Sequence, residues 1–191
     1  MELAATSDSR RHGSHRPGDA ERMTTTARFQ VRPLDPAVLH ELRERDDAGR
    51  VPRVVTETQE RGVPLRCCLR RGRPGERIAL LSYAPLRRWC RETGADIGAY
   101  DEVGPVFVHA EPCDGPDRAP WPEELRGDRR VLRAYSEGGR ILGGRLLDTR
   151  ERTQLSERTA DELLADPAIS LVHVRAVEFG CFLFEVRRVT T

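Results

Sequence analysis

The chain has 191 residues, and its 32 basic and 31 acidic side chains give a formal net charge of +1. This balance provides no global field that would hold a nucleic acid or an acidic membrane surface, which argues against non-specific polyanion binding. Every basic side chain is an arginine, and the absence of lysine excludes Schiff-base chemistry, a pyridoxal-phosphate anchor and a Walker-type phosphate lysine.

The N-terminal region differs from the rest of the chain. Residues 1–27 are polar with almost no apolar periodicity, so we expect a disordered tail followed by a single domain over 28–191. No run approaches the ~20 apolar residues of a membrane span, and no apolar segment of a signal peptide is present. The five cysteines include the neighbours Cys67 and Cys68, which does not resemble a secreted disulfide framework. We therefore expect a cytoplasmic protein with free thiols.

The first half of the domain is predicted to be rich in strands. Asp35 and Pro36 indicate a helix start, because aspartate can cap a helix whose first residue is proline. The predicted strands are at 28–34, 51–57, 64–70 and 76–83. A Gly-Arg-Pro-Gly turn separates the last two strands, which we expect to form a hairpin. Residues 84–103 are polar and poorly periodic, so we expect a long loop with about one helical turn.

The second half alternates strands with short helices. The strand VGPVFVHA is followed by a loop rich in proline and aspartate and by a short helix at WPEELRG. RRVLRAYS and GRILGGRLLD are separated by a Glu-Gly-Gly turn, which predicts a hairpin. A helix is expected at about 156–165, before the final strands AISLVHVRAV and CFLFEVRRV. About eight strands with two or three helices predict an α+β domain around an antiparallel or mixed sheet.

Three of these strands combine an apolar face with a polar face, because successive strand residues point to opposite sides. The polar side chains are His109 on the first strand, Arg133 and Tyr135 on the second, and His173 and Arg175 on the third. If the strands are neighbours in one sheet, these groups meet on one surface that could bind an anion and transfer a proton. The alternative is the solvated face of an antiparallel sheet.

The cysteines suggest another kind of site. Cys67 and Cys68 are expected to point to opposite faces of a strand, so at most one of them would reach a shared site. A cysteine nucleophile could pair with His109 or His173. A zinc site of two cysteines and two histidines is another possibility, although no Cys-x-x-Cys or His-x-x-His pair forms half of it. The residues for such a site are His109, Cys113, His173 and Cys181.

The order of several motifs matches one known family. RCCLR, ALLSYAP, GPVFVHAEPC, LRAYS, VHVR and GCF resemble the bacterial family catalogued as domain of unknown function 1203, over about residues 28–189. The resemblance implies a small single-domain protein without an agreed activity. The positions that match the family pattern are Cys67 or Cys68, Tyr83, Tyr100, Gly104 to His109, Cys113, Arg133, Tyr135, His173, Arg175, Gly180 and Cys181.

From these observations we expect a small-molecule site on the polar sheet face. The expected catalytic residues are His109, His173, Cys181 and Tyr135. The expected substrate-binding residues are Arg133, Arg175, Tyr83, Tyr100 and Cys113. The substrate would be a small anionic metabolite, and no metal, cofactor, nucleic acid or membrane is expected to take part. A non-catalytic binding module for a metabolite or a protein, and a thiol or zinc protein, are the alternatives.

Overall fold

Two antiparallel sheets and three α-helices make up the described part of the chain, which confirms the predicted α+β class. The computed structural model describes residues 29–116, 121–127, 129–148 and 154–189, so the predicted tail lies outside the described residues. The strands are β1 (Phe29–Arg32), β2 (Arg53–Thr56), β3 (Arg77–Tyr83), β4 (Gly104–His109), β5 (Arg129–Tyr135), β6 (Ile141–Asp148), β7 (Leu171–Ala176) and β8 (Phe182–Arg188). The helices are α1 (Pro36–Glu44), α2 (Pro85–Thr93) and α3 (Leu155–Leu164), with 3-10 turns at Gly98–Tyr100 and Glu123–Leu125.

The strands divide into a larger sheet of five, in the order β1-β8-β7-β5-β6, and a smaller sheet of three, in the order β2-β3-β4. Neighbours β5 and β7 run antiparallel, with Arg133 opposite His173 and Val131 opposite Arg175. Strand β4 pairs with β3 in the smaller sheet. The expectation that the three strands with polar faces are neighbours is therefore correct for β5 and β7 and wrong for β4.

Local signals explain where two of the helices begin and end. At the start of α1, the Asp35 side chain accepts the backbone N–H of Ala37 at 2.8 Å. Helix α2 covers nine residues where the sequence predicted a long loop, and it ends at Gly94, whose φ of 76° is left-handed. It packs inward through Leu86 and Trp89. No helix among the described residues is long and apolar enough to cross a membrane.

Residues 64–70 form a loop, so the predicted strand and its hairpin with 76–83 are wrong. The backbone N–H of Leu69 donates to the carbonyl of Leu65 at 3.0 Å, which closes one helical turn. Successive side chains on such a turn are about 100° apart and do not point to opposite sides. Cys67 and Cys68 can therefore face the same site.

Apolar side chains fill three clusters around the sheets. One lies between the larger sheet and α3 and is closed by Trp121. Another lies between the smaller sheet, α1 and the loop over 64–70. The third packs α2 against Tyr135 and Leu171 on the second face of the larger sheet. This sheet is thus covered on both faces. Tyr135 and His173 are buried, so the alternative of a solvated sheet face is wrong at these two positions.

Glu57 fixes the loop that leads from β2 towards residue 64. Its Oε1 accepts the backbone N–H groups of Thr58 and Gln59 at 2.8 and 2.9 Å, and its Oε2 accepts that of Val63 at 2.8 Å. The hydrogen bond from Gln59, together with the others, outweighs burial and lowers the pKa of the Glu57 carboxyl. The carboxylate is therefore a structural part of this loop.

We expect Glu57→Gln to lower the free energy of unfolding by about 1–3 kcal/mol, because a buried amide cannot accept all of these bonds. A carboxyl with a lowered folded pKa stabilises the protein above its unfolded pKa of about 4.3, and this contribution disappears as the pH falls through the folded pKa. The difference in the free energy of unfolding between the variant and the wild type should therefore become smaller at acidic pH. Urea unfolding across this pH range measures it, with exposed Glu60→Gln as the control. Equal effects of the two substitutions would contradict the assignment.

Candidate functional site

The polar face of the larger sheet brings together four of the predicted site residues. Arg133 lies opposite His173, and the ring centroids of Tyr135 and His173 are 4.6 Å apart. Arg133 and Arg175 both donate to the Glu102 carboxylate, Arg133 from 3.1 Å. Glu102 belongs to the stretch 84–103 that the sequence predicted to be a long loop, and it was not among the predicted site residues. Both guanidiniums of the expected anion site therefore already have a carboxylate partner from the chain itself.

His173 lies deep in the protein and not on an accessible surface. Its side chain is 0% exposed, and its Nε2 is 3.5 Å from Oε2 of Glu185. Burial lowers the pKa of His173 despite the opposing effect of the Glu185 carboxylate. Glu185 also pairs with Arg187. The imidazole is thus a neutral, buried group at neutral pH, and no motif in the sequence indicated its glutamate neighbour.

The other predicted residues are distributed over several places. Tyr100 is exposed in a 3-10 turn. The ring of Tyr83 packs 5.4 Å from that of Phe182, and burial raises its pKa. His109 and Cys113 belong to a cluster beside the smaller sheet, which contains neither His173 nor Cys181. The zinc set considered from the sequence is therefore not brought together.

A different group of cysteine and histidine side chains does come together. The ligand atoms of Cys67, Cys68, His109 and Cys113 all lie within 4.8 Å of one another. His109 Nδ1 is 3.4 Å from Cys67 Sγ and 3.8 Å from Cys68 Sγ, and the two sulfurs are 4.0 Å apart. From the sequence, at most one of the adjacent cysteines was expected to reach a shared site, because a strand was predicted in place of the helical turn.

An ion pair lines the opposite edge of the His109 ring. Arg70 donates to both carboxylate oxygens of Glu76, at 2.7 and 3.0 Å, and this hydrogen bonding lowers the pKa of Glu76 to about 2. Nη2 of Arg70 is also 3.1 Å from His109 Nε2. Within the cluster, the hydrogen bond from Cys67 lowers the pKa of the Cys68 thiol to about 6 and raises that of Cys67. The two thiols, the imidazole and the ion pair thus form one connected polar group.

A cavity of about 770 Å³ lies between the two sheets. Its wall includes Phe107 of the smaller sheet and Leu183 of the larger sheet, together with the exposed Phe179. The charged residues that line it are Arg61, Arg66, Arg71, Arg130 and Glu178. Four guanidiniums and one carboxylate thus surround a largely apolar space.

A smaller cavity of about 180 Å³ adjoins it, and Cys181 lines both. Tyr83 and Arg175 line the smaller cavity. His173 and Tyr135 line neither of the two. Of the four predicted catalytic residues, Cys181 is the one whose side chain lines these two cavities.

Arg66 places a buried charge at the wall of the larger cavity. Its Nε and Nη2 donate to the carbonyl oxygen of Phe182 at 2.9 and 2.7 Å, and its Nη1 donates to that of Pro64. Burial lowers the pKa of Arg66 to about 10, so the guanidinium is still charged at neutral pH. Buried Arg130 and Arg175 each have a carboxylate within 4.0 Å. Within the described ranges, no carboxylate lies that close to Arg66.

We expect Arg175→Ala to destabilise the protein more than Arg133→Ala. The Arg175 side chain is 7% exposed and also donates to the carbonyl of Gly180 at 2.9 Å, so its loss should cost about 2 kcal/mol. The Arg133 side chain is 31% exposed, and an ion pair in that setting contributes at most about 1 kcal/mol. Urea unfolding of both variants checks the order, and equal losses would show that the Glu102 pairs are equivalent.

One family model matches the chain, and its description is "Protein of unknown function (DUF1203)". The match covers residues 62–188, which is well over half of the chain. No curated protein and no solved structure matches the sequence. The matched segment contains Arg66, the Cys/His cluster and all strands from β3 to β8, in agreement with the resemblance of the motifs. The chain therefore belongs to the DUF1203 family of proteins of unknown function.

Proposed function

We propose that the protein binds a small organic anion in the cavity between its two sheets, with Arg66 as the principal cationic partner. The observation that carries this proposal is the buried guanidinium, which has carbonyl partners and no carboxylate among the described residues. A buried charge without a counter-ion is strongly unfavourable, so an anionic ligand would relieve it. The planar guanidinium suits a carboxylate or a phosphate, because it can donate two parallel hydrogen bonds.

The size and lining of the cavity support an organic ligand. Its volume of about 770 Å³ falls within the range of about 300–1,000 Å³ that is typical of small-molecule sites. The four arginines outnumber the single glutamate, so the site favours negative charge. Phe107, Phe179 and Leu183 offer apolar contacts that an inorganic ion would not use. These features together favour an anionic head attached to an apolar body.

The proposal keeps the small anionic ligand that the sequence led us to expect and changes the residues that bind it. Arg133 and Arg175 are engaged by Glu102, whereas no carboxylate of the described residues pairs with Arg66. We propose Cys181 as the reacting group of the site, since its side chain lines the cavity and a thiol can act as a nucleophile. We also propose a cytoplasmic location, which the free state of all five cysteines supports.

Phenylacetate is a suitable probe, because it joins a carboxylate to an aromatic ring. We expect it to raise the melting temperature of the wild-type protein and to bind measurably in isothermal titration calorimetry. Arg66→Met keeps an unbranched side chain and removes the charge. A hydrogen bond to a charged group contributes about 1.5–3 kcal/mol, so this variant should bind phenylacetate about 10- to 100-fold more weakly.

The controls separate binding at Arg66 from effects on folding. Neutral phenylacetamide should bind much more weakly than phenylacetate to the wild-type protein. Arg133→Met, on the polar sheet face, should bind phenylacetate as the wild type does. Ala176→Phe fills the same cavity and leaves Arg66 intact, so it should also weaken phenylacetate binding. It serves as the test should Arg66→Met fail to fold. Undetectable binding by the wild type, or equal binding by all of these variants, would refute the proposal.

A further inference from the structure

We propose that Cys67, Cys68, His109 and Cys113 form a four-coordinate zinc site. None of these residues lines the cavity of the proposed anion site, so the inference goes beyond that function. It rests on three thiols and one imidazole whose ligand atoms all lie within 4.8 Å of one another. Two elements distant in sequence supply the cluster, and the fold alone brings them together.

The separations of the ligand atoms fit a tetrahedral zinc ion. Bonds of about 2.3 Å to sulfur and about 2.0 Å to nitrogen require about 3.8 Å between two sulfurs and about 3.5 Å between sulfur and nitrogen. The Cys67 and Cys68 sulfurs are 4.0 Å apart, and they lie 3.4 and 3.8 Å from His109 Nδ1. Three corners of the tetrahedron are thus already in place, and Cys113 can supply the fourth.

Hydrogen bonds hold the ligands in this arrangement. The backbone N–H of His109 donates to Cys67 Sγ at 3.2 Å, which fixes the position of this sulfur beside the imidazole. Arg43 of α1 donates to the carbonyls of His109 and Glu111 at 3.1 and 3.0 Å. The segment that carries Cys113 is therefore anchored two residues before the ligand.

The surroundings of the His109 ring also suit a metal ligand. Nδ1 faces the sulfurs, so binding a metal there places the ring proton on Nε2. Oε2 of Glu76 lies 3.5 Å from Nε2 and can accept that proton. Nη2 of Arg70 lies 3.1 Å from Nε2 and bonds to the same carboxylate, so this donor has to turn away from Nε2 when the metal binds. A carboxylate behind a coordinating histidine is the usual arrangement at zinc sites, because it orients the ring and sets its tautomer.

The donor set selects the ion and indicates its role. Thiolates bind Zn²⁺ in preference to Mg²⁺ or Ca²⁺, which need oxygen ligands, and three cysteines with one histidine are typical of structural zinc. Four protein ligands leave no open position for a substrate. The ion would therefore link the loop over 64–70 to the segment that follows β4. Because Cys67 directly follows Arg66, the same link fixes the backbone at the wall of the cavity.

Metal analysis of the full chain, purified without chelators, tests this site. We expect one zinc ion per wild-type chain by mass spectrometry after gel filtration. Cys113→Ser is the principal variant, because Cys113 is exposed and its replacement leaves the apolar core intact. It should lose the zinc. Cys90→Ser is the matched control, since Cys90 lies in α2 outside the cluster and should keep it.

Cobalt substitution reports directly on the coordination geometry. Bound Co²⁺ should give the intense visible bands of tetrahedral coordination and a sulfur-to-cobalt charge-transfer band, and the latter should weaken in Cys113→Ser. Glu76→Gln removes the carboxylate behind His109. It should weaken zinc binding by about 10- to 100-fold in chelator competition while the cobalt bands keep their tetrahedral form.

Three outcomes would overturn the proposal. The wild-type chain could bind neither zinc nor cobalt, or Cys113→Ser and Cys90→Ser could hold equal amounts of metal. Thiol counting could also find a disulfide among Cys67, Cys68 and Cys113 in metal-free protein, which would identify a redox cluster instead. Failure of phenylacetate binding would leave the zinc site standing, because the two sites share no side chain.

Discussion

The guanidinium of Arg66 joins the two sheets, and both candidate sites depend on where it lies. The residue belongs to a loop beside the smaller sheet, and its side chain donates to the carbonyl of Phe182 on β8 of the larger sheet. Its backbone donates to the carbonyl of Phe107 at 2.9 Å and accepts the N–H of Leu34 at 3.0 Å. One residue therefore bonds to both sheets and to the segment before α1, and it carries a charge into an apolar space. The cavity exists on one side of this loop and the Cys/His cluster on the other.

Because this chain has no lysine, its arginines form the ion pairs that stabilise the fold and are also the cations available for binding. Arg133 and Arg175 form ion pairs with Glu102, and Arg88 forms one with Asp47 at 2.7 Å. Arginines close together in sequence or on one sheet face are thus weak evidence for an anion site, because internal carboxylates already satisfy them. Arg66 differs because its partners among the residues that the structure describes are carbonyl oxygens, which carry no net charge to balance the guanidinium.

Local sequence signals predicted the elements whose stabilising contacts come from nearby residues. The cap at Asp35 and the hairpin of β5 and β6 were predicted correctly, and side-chain alternation placed Arg133 and His173 on one face. Alternation could not tell that β4 belongs to a different sheet, since its pattern is as regular as that of β5. The loop over 64–70 was missed because bonds to distant residues impose its turn. The cysteine cluster and the cavity followed from that turn, so the sequence could not reveal them.

The central claim is that an organic anion bound between the sheets compensates the positive charge of Arg66. A crystal structure of the protein with 4-bromophenylacetate, with the bromine located by anomalous scattering, tests it most directly. The account predicts bromine in the cavity beside Phe107 and Leu183, with carboxylate oxygens about 2.7–2.9 Å from the Arg66 guanidinium nitrogens. A ligand found instead on the face of Arg133 and Arg175, with no anion at Arg66, would contradict it.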